Sequence, residues 1–172
     1  MKSLQWNGPG KASSCKLENT GSVLGNIPHP GKEKMMRKSF QTNIEIRYRD
    51  TDSMGHVSSP IYYDYMQTAY LEYMHHLLEI PKSKKLPHIM VKTSCEYISQ
   101  AKYGDKLCIL SHIIKFGTKS FEMEHMMHID GEKRDLVAKA TSVHVMYDYE
   151  KQATYPVPEN FKEMILGFQG TL

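Results

Sequence analysis

The sequence predicts an α+β domain in which a curved antiparallel sheet wraps around one long central helix. Three observations carry this. One segment, about Ser59 to Leu78, repeats its apolar residues at helical spacing. The segments around it alternate with period two or are rich in β-branched and aromatic residues, as strands are. The turns joining the later strands are short, which forces antiparallel neighbours, and a lone amphipathic helix needs a sheet to cover its stripe.

The elements follow in order. Residues 1–37 carry the breakers Asn7-Gly8-Pro9-Gly10, Pro28, Pro30 and Gly31, with Lys32, Lys34 and Arg37 among scattered cations and no periodicity. They are expected to form an extended or disordered arm ahead of a single domain over residues 38–172. Thr42 to Arg49 alternates, with Ile44, Ile46 and Tyr48 on one side and Glu45 and Arg47 on the other, and predicts the first strand. The loop Asp50-Thr51-Asp52-Ser53-Met54-Gly55-His56 is dense in turn formers. Ser59 is placed to cap the helix, with Pro60 at its first position and Pro81 beyond its end. Tyr62, Tyr65, Met66, Ala69, Tyr73 and Leu77 share one arc; Asp64, Thr68 and His75 project the other way. Strands follow at His88 to Ile98, Asp105 to Phe116, Phe121 to Ile129 and Leu136 to Tyr149. Lys102-Tyr103-Gly104-Asp105, Gly117-Thr118-Lys119-Ser120 and Asp130-Gly131 supply the turns. Pro158 to Leu166 predicts a short terminal helix.

Composition narrows the function classes. At 172 residues and 40% hydrophobic content the chain can build one real core. It has no apolar run near the roughly 20 residues that span a bilayer. Lys2 is followed by no apolar stretch, so a secretory signal is not expected. Cys15, Cys95 and Cys108 are odd in number and lack metal-ligand spacing, which fits reduced thiols and a cytoplasmic protein. The net charge of +3 comes without a basic stripe interleaved with aromatics, which argues against nucleic acid as a partner. The histidines, including His75-His76, His125, His128 and His144, are not spaced with carboxylates as metal ligands, and no metal or cofactor is expected.

The chemistry concentrates in Tyr48-Arg49-Asp50-Thr51-Asp52-Ser53-Met54-Gly55-His56-Val57-Ser58-Ser59-Pro60-Ile61-Tyr62. A carboxylate placed one loop before a helix N-terminus can attack a carbonyl or activate water there, while helix amides bind the carbonyl oxygen. No Gly-x-Ser-x-Gly elbow offers a competing serine nucleophile. The stretch resembles the signature of the hotdog-fold acyl-CoA thioesterases of the 4-hydroxybenzoyl-CoA thioesterase type, in which Asp-x-Asp-x-x-Gly-x-Val precedes a helix carrying Tyr. The resemblance is close over loop and helix and looser over about 135 residues of strand order and turns.

The resemblance implies the hotdog fold and hydrolysis of an acyl or aryl thioester to free acid and CoA. It implies Asp52 as catalytic base or nucleophile, the Ser59 backbone N–H as the group polarising the carbonyl, and His56 in a supporting role. Asp50 reads as structural, and Gly55 as a residue permitting positive φ. Tyr62 and Tyr63 are candidates for the acyl pocket. Lys102, Lys106, Lys115, Lys119 and Arg134 can meet CoA phosphates, and the family's use of the matching turn favours Lys119. The resemblance further implies a homodimer with joined sheets, or a dimer of dimers, with the site between subunits. Where the family commonly has Asn, the chain has Ser58 and Ser59; where the helix commonly has Glu and Arg, it has Gln67 and Tyr70. Asp64 is the candidate if the catalytic acid instead sits on the helix. Alternatives to acyl-CoA hydrolysis are hydrolysis of an acyl group on acyl carrier protein and non-catalytic acyl-CoA binding.

Overall fold

The computed structural model describes residues 37–172; the proposed arm lies, except for Arg37, outside them. The described chain runs β1 (Phe40–Glu45), a 3-10 turn (Tyr48–Asp50), α1 (Ser59–Leu77), β2 (His88–Tyr97), β3 (Lys106–Phe116), β4 (Ser120–Ile129), β5 (Leu136–Asp148), β6 (Ala153–Thr154) and α2 (Glu159–Gln169). The strands form one curved antiparallel sheet in the order β1-β3-β4-β5-β2, with β6 added beside β5 and α1 packed against the sheet. This is the expected hotdog architecture.

The helix forms where its spacing says it should. Tyr62, Tyr65, Met66, Ala69, Tyr73 and Leu77 are all buried, and Tyr70 and Met74 widen the stripe. The N-terminal half packs with Val57, Leu107, Ile109, Met127 and Ala138. The C-terminal half packs with Ile113, Phe121, Met123, Met146 and Ile165 of α2. Each large apolar side chain buried here contributes roughly 1.5–3 kcal/mol.

Three expectations are corrected. The first strand stops at Glu45, because Arg47, Tyr48 and Asp50 turn into a 3-10 geometry closed by the Asp50 N–H to Arg47 O bond at 3.0 Å. Tyr48 is therefore 78% exposed rather than facing the core with Ile46. Ser58, not Ser59, is the cap residue of α1, without a side-chain capping bond; Ser59 and Pro60 are the first two helical residues. The terminal helix extends to Gln169, and this tail repairs an open edge. Gln169 Nε2 donates to Ile113 O at 2.8 Å and its Oε1 accepts from Ile113 N–H at 3.1 Å, so a side-chain amide takes the place of a strand partner beyond the first residue of β1.

A buried polar row lies between α1 and the sheet. Register pairs Ser111 with His125 and Phe121 with His144. Ser111 Oγ lies 2.9 Å from His125 Nδ1, His125 Nε2 3.1 Å from Ser142 Oγ, and Ser142 Oγ 2.8 Å from His144 Nε2. Tyr70, at the helix position where the family commonly has Arg, stacks on the His144 ring at 4.3 Å between centroids.

Candidate active site

The loop between β1 and α1 is held by its two aspartates in different ways. Asp50 is 1% exposed and carries four bonds. It accepts from the Arg47 N–H at 2.9 Å, from Arg47 Nε and Nη2 at 3.2 and 3.1 Å, and from the Tyr65 hydroxyl at 2.9 Å. Burial alone raises a carboxyl pKa, but the bonds from Arg47 and Tyr65 outweigh it and hold Asp50 below the usual range. Its role is the structural one expected, carried mainly by a guanidinium and a phenol rather than by loop amides.

Asp52 is exposed and closes an Asx turn. Its Oδ1 accepts from Met54 N–H at 2.8 Å and more weakly from His56 N–H at 3.4 Å, while its own N–H donates to His56 O at 2.9 Å. Oδ2 has no hydrogen-bond partner among the described residues. The turn needs a residue at positive φ, and Gly55 supplies it at 78°. His56 contributes through its main chain: it pairs with Lys102, and its ring makes no hydrogen bond among the described residues.

The loop returns to the helix through Val57 N–H to Ala101 O at 2.8 Å and Ser58 N–H to Asp50 O at 3.0 Å. At the tip of α1, Pro60 has no N–H and the Ile61 N–H is taken by Ser58 O at 2.9 Å. The Ser59 N–H has no acceptor among the described residues, as expected for a first helical residue. The Ser59 amide is therefore left without an acceptor at the positive end of the helix dipole. Tyr97, which the sequence did not single out, donates its hydroxyl to Ser59 O at 3.1 Å and meets the buried Tyr62 edge-on at 5.3 Å. Tyr63, half-buried, lies on the same first turn.

The structure thus brings Asp52, Gly55, His56, Ser59, Tyr62 and Tyr63 to one end of the sheet. Lys119 is not with them in this chain. Tyr97 pairs with Ala138, whereas Met146 N–H bonds Lys119 O at 2.9 Å, and the intervening stretch of β5 spans about 26 Å. Lys119 Nζ instead donates to Thr154 Oγ1 at 3.2 Å beside β6. Lys102, paired to His56, is an exposed cation that does adjoin the loop, as do Arg47 and Arg49 beside Asp50.

The fold is that of the hotdog thioesterases. Residues 46–165 match the model of the Thioesterase-like superfamily, so the chain belongs to that family and is, at that level, a thioester hydrolase. Among solved structures it is similar to a thioesterase from Thermus thermophilus complexed with coenzyme A and Zn, at 24% identity and a TM-score of 0.68, over 77% of this chain and 95% of that one. It is similar to the 4-hydroxybenzoyl CoA thioesterase from Pseudomonas sp. strain CBS-3, at 24% identity and 0.64, over 74% and 99%. It is also similar to Slr0204, a 1,4-dihydroxy-2-naphthoyl-CoA thioesterase from Synechocystis, at 21% identity and 0.62, over 74% and 95%. No curated protein matches significantly. Among the described residues no helix is long and apolar enough to cross a membrane.

Proposed function

We propose that this protein hydrolyses an acyl-CoA thioester, with Asp52 as the reacting carboxylate and the Ser59 N–H as the oxyanion donor. The observation that carries the reading is the pinned turn. Oδ1 of Asp52 is committed to loop amides, Oδ2 has no partner among the described residues, and the unpaired Ser59 amide at the helix tip belongs to the same short segment. In the general-base form, Asp52 takes a proton from water as the water oxygen adds to the thioester carbonyl. The carbonyl electrons move onto oxygen, where the Ser59 N–H and the helix dipole stabilise them. They return as the C–S bond breaks, and the thiolate leaves with the proton from Asp52, giving free acid and CoA. In the nucleophile form, the Asp52 carboxylate adds to the carbonyl, the C–S bond breaks to release CoA as thiolate, and water hydrolyses the resulting anhydride, returning free acid and the Asp52 carboxylate while the released proton goes to the thiolate.

CoA and aryl-CoA names among the similar structures support the substrate class. Tyr62, Tyr63 and Tyr97 offer the acyl group an aromatic wall, and Lys102 offers a phosphate contact. Two copies joining along β2 complete this reading. That strand is a sheet edge and exposes Val91 and Tyr97, with Ile98 just beyond, at about half of their surfaces.

Thiol release from a panel of acyl- and aryl-CoAs tests the proposal. Asp52→Asn is expected to lower kcat at least about 100-fold while leaving the unfolding midpoint nearly unchanged. Near-normal turnover in that variant removes Asp52 from the mechanism. Asp64→Asn is expected to stay active, because Asp64 is exposed on the outer face of the first helical turns; inactivity there moves the site onto the helix.

A further inference from the structure

The tip of α1 lacks the usual clamp. Ser58 is of the residue type that caps helices, yet its side chain makes no capping bond. A cap of that kind accepts from an N–H of the first turn and so spends a donor. Here Pro60 has no N–H to give, the Ile61 N–H goes to Ser58 O at 2.9 Å, and the Ser59 N–H has no acceptor among the described residues. Helix ends fray, and this one carries the amide on which the proposed chemistry depends.

A bond from the sheet reaches the same turn from its acceptor side. The Tyr97 hydroxyl crosses 38 positions of sequence to donate to Ser59 O at 3.1 Å. Tyr97 stands on a firm base. It pairs with the fully buried Ala138 of β5, and just beyond it the Ile98 and Ser99 N–H groups both donate to Val137 O, at 2.9 and 3.2 Å. Its ring meets the buried Tyr62 edge-on. The Ser59 carbonyl and the Ser59 N–H are separated only by the φ and ψ of that residue, and the ring of Pro60 fixes the φ that follows. A hydroxyl on the carbonyl therefore steadies the amide without occupying it.

We propose that Tyr97 is a positioning residue for the thioesterase reaction, its hydroxyl holding the Ser59 N–H in place through Ser59 O. The assignment rests on the reading of that amide as the oxyanion donor. Such a donor works to the extent that it is oriented before charge develops on the substrate oxygen. The hydroxyl acts through Ser59, while the ring keeps its place in the aromatic wall. Tyr97 is 47% exposed and Ser59 is exposed as well, so removing the hydroxyl strands no buried polar group and is expected to move Tm little.

Tyr97→Phe tests this, because it deletes the hydroxyl and keeps the ring. With a CoA thioester that the wild type hydrolyses, kcat is expected to fall about tenfold and KM to stay within about twofold. That loss is smaller than the roughly 100- to 1,000-fold brought by removing an oxyanion donor outright. In a Ser59→Pro background, where the amide is already gone, Tyr97→Phe is expected to cost no further kcat. In ¹⁵N relaxation of the full chain without substrate, the Ser59 order parameter is expected to drop from about 0.85 toward about 0.6 in Tyr97→Phe, with that of Tyr73 unchanged. An unchanged kcat, a loss carried by KM, or an equal loss in the Ser59→Pro background overturns the proposal. A wild-type chain that hydrolyses no thioester of the panel is a failure of the hydrolase reading instead. The Ser59 order parameter then decides the anchor by itself, and an unchanged value in Tyr97→Phe overturns it.

Discussion

The Tyr65 hydroxyl donates to Asp50 Oδ2 at 2.9 Å, tying the second turn of the central helix to the loop that carries Asp52. Both residues are almost fully buried. The bond shares its acceptor with Arg47, and burial pushes the Tyr65 pKa well above the usual phenol range, so the hydroxyl stays a donor.

Removing that donor leaves a buried carboxylate oxygen short of one partner. Tyr65→Phe is expected to cost about 1–3 kcal/mol, a fall in Tm of a few degrees for a chain of this length. The measurement is thermal unfolding beside kcat. A variant with unchanged Tm shows that the bond does not hold the loop.

Ser59 separates a main-chain role from a side-chain one. Ser59→Ala keeps the amide and is expected to retain activity. Ser59→Pro removes it, yet proline suits the first helical position, and Ser58 already has the extended conformation (φ −65°, ψ 138°) that precedes a proline. Loss of one oxyanion donor predicts a drop in kcat of about 100- to 1,000-fold with folding retained. Full activity in Ser59→Pro rules out this amide as the oxyanion donor.

The buried histidines set an acid limit on stability. Burial is the main cause that holds His88 near pKa 4 and His125 and His144 near 3 in the folded chain. In the unfolded chain they protonate near 6.5. Between about 6.5 and 4 the unfolded state therefore binds more protons, and stability falls as pH drops, by at most about 1.4 kcal/mol per pH unit for each histidine. Below about 4 the depressed pKa of Asp50 adds a further loss in the same direction. Urea midpoints measured between about pH 7.5 and pH 4 are expected to decline through this window. A flat profile means the row is not neutral in the folded state.

Much of this protein was legible in the chain itself. The stripe from Tyr62 to Leu77 set the helix and its buried face, because helical spacing is a local property. The strands His88–Tyr97, Lys106–Phe116, Ser120–Ile129 and Leu136–Asp148 fell within a residue or two of expectation, since turn residues are local as well. The turn at Asp52 and Gly55 was readable because an Asx turn and a positive φ are satisfied within a few residues, whereas Asp50 finds its Tyr65 partner fifteen positions along the chain. Tyr48 was misread because period two cannot distinguish a strand residue from one that has just left the strand.

Pairings between distant segments had to wait for the folded chain. Nothing in the spacing of Ser111, His125, Ser142 and His144 shows that register aligns them in one hydrogen-bonded row, or that His88 ends it with nitrogens unmet. Tyr97 reaches Ser59, and Lys119 is carried to the far end of the sheet, for the same reason: antiparallel register fixes which residues meet, and a shift of one position would put every side chain on the opposite face. The residues of the loop and helix were thus set locally, whereas their neighbours were set by the sheet.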